Sequence, residues 1–216
     1  MSMKKINDFS IEAVSDFVEK YLVQIIYIMC FCLLLTFLAI FYGNFKENKK
    51  TNLVNQYYQA ISYLNGENEE DGLKLLKKIY DSKYASADIK SISGLKYANE
   101  LLKNENQNEA INIYLSIYKM KKNDIFLRDL AGLNALNIMI NQNDKAKYSE
   151  IEKMIAEMSN PNNPLILLVE EQYAMFEIQK GNVKNGVEAL KNLLNQKIDQ
   201  DTAKRINTLL DLYENI

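Results

Sequence analysis

The chain has 216 residues, 26 Lys and Arg against 28 Asp and Glu, no histidine, and two cysteines, Cys30 and Cys32, both in one apolar stretch. Beyond that stretch there is no thiol and no imidazole, which excludes disulfides, zinc sites of the usual kind and Cys-His or Ser-His catalysis there. Removing Lys4, Lys5, Lys20, Asp8, Glu12, Asp16 and Glu19 leaves the remainder near neutral, so neither a basic nucleic-acid footprint nor an acidic disordered tail is present.

The predicted elements begin with residues 1–21, an N-terminal segment. Its part FSIEAVSDFVEKY reads as an amphipathic helix, with Val14, Phe17, Val18 and Tyr21 at helical spacing and Asp8, Glu12, Asp16 and Glu19 toward the other side. Residues 22–43 follow, LVQIIYIMCFCLLLTFLAIFYG, which hold no charge. As a helix this stretch is about 30 Å long, the thickness of a bilayer's hydrocarbon core, and predicts a single membrane span. Tyr21, Tyr27, Tyr42 and Phe45 suit the two interfaces. A cleaved signal peptide fits less well, because its apolar core is about 7–15 residues long and small side chains follow it, whereas bulky IFYGNF follows here.

Charge does not orient the span, since Lys4, Lys5 and Lys20 on one side balance Lys46, Lys49 and Lys50 on the other. Ala39 and Gly43, four apart on one helical face, offer a small-residue surface for contact with another membrane helix, a pattern that also arises by chance. Residues 44–50 are expected to form a linker.

Residues 51–216 read as a repeat domain. Helical pairs are laid out as 51–65 with 68–82, 86–104 with 107–120, 124–142 with 144–159, and 163–180 with 183–196, and a last helix covers 200–214. Asn68, Asn106, Asp144 and Asn182 stand as N-caps of the second helices, and Asn163 with Pro164 as a cap followed by a first-turn proline. Small residues recur twelve apart, at Ala60 and Gly72, Ala98 and Ala110, and Ala174 and Gly186, with Ala135 and Ala146 one short of that interval. Two helices of a hairpin need small side chains where their backbones approach. Large apolar residues follow at i+4 and i+7: Leu76 and Ile79, Tyr114 and Ile117, Leu190 and Leu193.

These units resemble tetratricopeptide repeats, best in YANELLKNENQNEAINIYLSIY from Tyr97 and in YAMFEIQKGNVKNGVEALKNLL from Tyr173. The expected fold is all-α, a single N-terminal transmembrane helix followed by a TPR-like α-solenoid of about four hairpins plus a C-terminal capping helix. With the acidic stretch IEAVSDFVEKY and one span ahead of the repeats, the whole chain looks like the YfgM-like family of bacterial inner-membrane proteins. That resemblance implies an ancillary subunit of the Sec translocon, with the N-terminus cytoplasmic and the repeat domain periplasmic, associating with the chaperone PpiD. It implies no catalytic residues.

No Gly-rich phosphate loop occurs, and Glu170 and Glu171, adjacent on a helix, point about 100° apart rather than converging as an acid/base pair. No cofactor, metal or nucleic acid is expected. Tyr57, Tyr58, Tyr63, Tyr97, Tyr173 and Phe176 fall on first helices of the hairpins, which in tetratricopeptide arrays line a partner-binding groove. Tyr97 and Tyr173 equally suit the core, since each precedes a small alanine, so Tyr57, Tyr58 and Tyr63 are the stronger groove residues. The leading expectation is a non-enzymatic scaffold that binds the translocon and a periplasmic chaperone or an emerging substrate. A cytosol-facing assembly platform or receptor is the alternative, and a carboxylate-only hydrolase comes last.

Overall fold

The structure, a computed structural model, describes residues 3–66 and 68–213; the side chains of residues 1–18 and 25 lie outside the described set, and with them the amphipathic face expected of the N-terminal segment. The described residues are helical and contain no strand. The chain divides into two compact units, Met1–Thr51 and Asn52–Ile216.

Helix α1 runs from Met3 to Leu64 without a break. Residues 44–50, expected to link the span to the repeats, lie within this helix. No proline there removes a backbone donor, and Lys and Glu are good helix formers. Within Glu19–Leu64 lies a window of mean hydropathy 2.6, none of it buried, which makes this one helix long and apolar enough to cross a membrane. Tyr27, Phe31, Leu33, Phe37 and Phe41 project from it fully exposed, and Thr36 returns its hydroxyl to the Leu33 carbonyl at 2.8 Å, as a polar side chain in an apolar helix does.

In the second unit α2 spans Glu69–Asp81, α3 Ala87–Lys103, α4 Gln107–Tyr118, α5 Ile125–Gln142, α6 Tyr148–Met158, α7 Ile166–Gln179, α8 Val183–Leu194 and α9 Gln200–Tyr213. Each helix from α2 onward packs on the next in chain order, and α3, α5 and α7 also touch one another in sequence. The buried core forms two clusters. One cluster reaches from Ala60 to Phe176 and a second joins Ala174, Ile178, Leu190, Leu193, Ile206 and Leu210, with Met175 packed against both. The i+4 and i+7 residues of the second helices, Leu76, Ile79, Tyr114, Ile117, Leu190 and Leu193, are all buried.

The twelve-residue pairs are close approaches. A Cβ on Gly72 would lie 3.0 Å from the Ala60 carbonyl oxygen, and one on Gly186 would lie 2.6 Å from that of Ala174. Ala98 and Ala110 are both fully buried. The third pair fails: Ala135 is buried, but Ala146 is exposed on a short 3₁₀ turn, Lys145–Lys147, that precedes α6. This turn delays the helix, so its buried residues are Ile151, Met154, Ile155 and Met158.

A second recurrence comes from the turns inside hairpins. Glu105 (φ 59), Asn143 (φ 51) and Gly181 (φ +90) are left-handed, each 38 residues from the next. After Glu105 and Gly181 the chain closes as a Schellman turn, with Asn106 N–H bonded to the Leu101 carbonyl and Asn182 N–H to that of Glu177, both at 2.9 Å. Asn106 caps α4 as expected, accepting from the Glu109 N–H, whereas Asp144 caps the 3₁₀ turn and not α6, accepting from the Ala146 N–H. Asn68 and Asn182 make no side-chain cap bond. Asn163 also differs from expectation: α7 begins only at Ile166, and Asn163 is buried, donating to the Met158 carbonyl and accepting from Leu165 N–H, both at 2.9 Å. It ties the end of α6 to the start of α7.

Candidate functional site

The six aromatic residues read as a groove do not share one surface. Tyr57 and Tyr63 on α1 are half-buried, and Tyr58 between them is 68 % exposed. The Tyr57 and Tyr58 rings meet edge to face at 5.9 Å, while Gln59 donates to the Tyr63 hydroxyl at 2.8 Å. Burial, with the neighbouring Tyr58, raises the Tyr57 phenol above its ordinary pKa. Tyr97 is core, 7 % exposed; its hydroxyl donates to Glu109 of α4 at 3.3 Å, and Lys77 of α2 lies 5.6 Å over its ring. It is buried between neighbouring helices.

The α7 pair reverses the expectation. Tyr173, a position that suits the core by sequence, is 41 % exposed, whereas Phe176, read as a groove residue, is 1 % exposed. Phe176 meets the Tyr148 ring edge to face at 5.1 Å, and Lys180 stands 5.0 Å over its face. Along a helix three residues turn the side chain by about 300°, so neighbouring aromatic positions can lie on opposite sides of a burial boundary. In the apolar part of α1, Ala39 and Gly43 are exposed and a Cβ on Gly43 would meet nothing within 4 Å. That face is open.

Tyr173 and Phe176 do come together at a cleft of about 390 Å³ between α6 and α7. Ile155, Ala156 and Ser159 of α6 and its C-terminal end form one wall, and Tyr173 and Phe176 the other. Three carboxylates stand around it: Glu152, Glu170 and Glu177. Lys180 serves two of them, at 2.7 Å from Glu152 and 3.4 Å from Glu177. Glu177 is 6 % exposed, and burial alone would raise its carboxyl; the bonds from Asn182 at 2.9 Å and from Lys180 outweigh that and hold it below the ordinary range. Glu170 accepts from the Gln196 amide at 2.7 Å. The sequence gives a signal for this cleft in the 38-residue recurrence, though not in any single motif.

Buried charge elsewhere is paired. Glu171 receives both Arg205 donors, Nε at 2.8 Å and NH2 at 2.7 Å, which locks α7 to α9. Glu170 and Glu171 thus face different partners. Glu100, 2 % exposed, takes Lys96 at 2.8 Å and Lys103 at 2.6 Å. Among the described residues no three His, Cys, Asp or Glu side chains gather as metal ligands would. What the domain presents is an apolar slot with an acidic rim and one exposed tyrosine. Compared with known proteins, the chain matches no family model, no curated protein and no solved structure.

Proposed function

We propose that this chain is a membrane-tethered, non-enzymatic scaffold whose hairpins form a tetratricopeptide-like solenoid. The observation that carries the reading is the junction, in one chain, of an unburied apolar helix with helical hairpins whose left-handed turn residues recur every 38 positions at Glu105, Asn143 and Gly181. The direct contacts of α3 with α5 and of α5 with α7 support it, because first helices that touch in succession make a common inner layer. The ion-paired state of the buried carboxylates favours binding over catalysis: Glu100 and Glu171 are held by Lys or Arg and are not poised as a base.

By its resemblance to the YfgM-like family, the scaffold serves the Sec translocon of a bacterial inner membrane. The span docks on the translocon, and the periplasmic hairpins recruit a chaperone such as PpiD or an emerging substrate. Tethering raises the local concentration of whatever the domain holds, so weak contacts suffice.

Protease treatment of a C-terminal tag in intact cells, spheroplasts and lysed spheroplasts tests the orientation. Cleavage once the outer envelope is opened supports a periplasmic domain. Protection until the inner membrane is broken overturns the translocon reading in favour of a cytosol-facing platform, which the equal lysine counts on the two sides of the span permit.

A further inference from the structure

The cleft between α6 and α7 occupies a seam that is plugged in the two preceding units. A Cβ on Gly94 would lie 2.6 Å from the Tyr80 ring, and 38 residues later one on Gly132 would lie 2.7 Å from the Tyr118 ring. Each tyrosine follows the last buried residue of its helix, Ile79 in α2 and Ile117 in α4, and inserts its ring over a glycine of the next first helix. In the third seam the same 38-residue step leads from Ile117 to the buried Ile155, from Tyr118 to Ala156 and from Gly132 to Glu170. Ring and glycine are both missing, α6 and α7 pack more loosely than α2 on α3 or α4 on α5, and both substituted residues line the cleft.

We propose that this cleft receives an aromatic side chain flanked by lysine or arginine on a partner polypeptide. The proposal rests on the scaffold reading and names what that scaffold grips. The ring is the group that the same packing accepts in the other two seams. Its walls, Ile155, Ala156, Tyr173 and Phe176, are apolar, and a volume of about 390 Å³ admits an aromatic side chain with room to spare. The flanking cation follows from the rim, where Glu152 and Glu177 share the ammonium of Lys180 and Glu170 is met by a neutral amide. A basic neighbour of the ring completes that charge pattern and an acidic one is repelled.

The test uses the full chain in nanodiscs of zwitterionic lipid and a dye-labelled alanine heptapeptide carrying lysine, phenylalanine and lysine at its centre, read by fluorescence polarisation. Saturable binding is expected, weakened about tenfold or more when phenylalanine becomes alanine or the lysines become glutamates. Ala156→Tyr supplies the missing plug and should abolish binding with no loss of thermal stability. Glu170→Gln, a change at the rim, should weaken it several-fold and gives a second reading should Ala156→Tyr fold poorly. No saturation by about 1 mM, equal binding by Ala156→Tyr, or indifference to ring and charge overturns the proposal. So does self-association of the protein that Ala156→Tyr abolishes, which assigns the cleft to a second copy. Peptide binding by a protein whose hairpins prove cytosolic supports the cleft and overturns only the translocon reading. Co-purification with the translocon that survives without any peptide binding overturns the cleft alone.

Discussion

Gly186→Ala puts the hairpin geometry to a direct test. The new Cβ would lie 2.5 Å from Ile178 Cγ1 and 2.6 Å from the Ala174 carbonyl oxygen. Ile178 has a rotamer to change, but the carbonyl belongs to the α7 backbone and cannot turn away. Ordinary contact begins near 3.4 Å, so α7 and α8 must part by about 0.8 Å along a seam that buries Leu190 and Leu193. Overpacking of this kind costs about 1–3 kcal/mol. The substitution also removes a helical glycine, which returns up to about 1 kcal/mol. The expected balance is a loss of about 1–2 kcal/mol, or a fall in Tm of roughly 2–8 °C for a domain of this size. Thermal and urea unfolding of the full chain in mild detergent, followed by circular dichroism, measures it. Gly66→Ala is the control, since its Cβ would sit at an ordinary 3.5 Å from the Ser62 carbonyl. A Gly186→Ala protein as stable as the parent would refute the claim that the twelve-residue pairs mark backbone contact.

Three further outcomes follow from the same structure. Glu105→Gly should stabilise by about 0.5–1 kcal/mol in urea titration, because Glu105 holds φ 59 where Gly181 stands at the equivalent turn 76 residues on. Ser93→Ala should be neutral or stabilising by about 1 kcal/mol: its buried hydroxyl has no partner among the described residues, and Ala131 and Val169 fill the corresponding sites on α5 and α7. At Glu100 burial alone would raise the carboxyl, but Lys103 and Lys96 outweigh it and hold the folded value below the ordinary range. Its contribution is therefore complete above the unfolded pKa of about 4.3 and disappears as pH falls through the lower folded value, so Tm should drop on acidification and drop less steeply in Glu100→Gln.

Much of the helix layout was legible because burial at twelve, i+4 and i+7 is imposed by the hairpin itself. Where the reading failed, a local device had intervened. The 3₁₀ turn at Lys145–Lys147 shifted α6 and put Ala146 outside, although Ala135 kept its place. Asn163 read as a cap but serves as a buried brace between two helices, a role fixed by the fold around it. Tyr173 and Phe176 exchanged their expected places because exposure at a helix face depends on how closely the neighbouring helix packs, and α6 packs loosely there. The cleft itself is a departure from a recurrence, visible only once Tyr80 with Gly94 and Tyr118 with Gly132 are seen as the same device.

The attachment of α9 has a kinetic side. This final helix buries Ile206 and Leu210, packs Leu209 and Tyr213 partly buried beside them, and is tied to α7 by the paired Arg205 and Glu171. Its amides should exchange with solvent sooner than those of α3 to α5, and opening should advance inward from that end, since each helix leans mainly on its immediate neighbours. A ligand that tightens α7 would then announce itself as slowed exchange in α9, a helix it never touches, through the guanidinium and the apolar cluster that join the two.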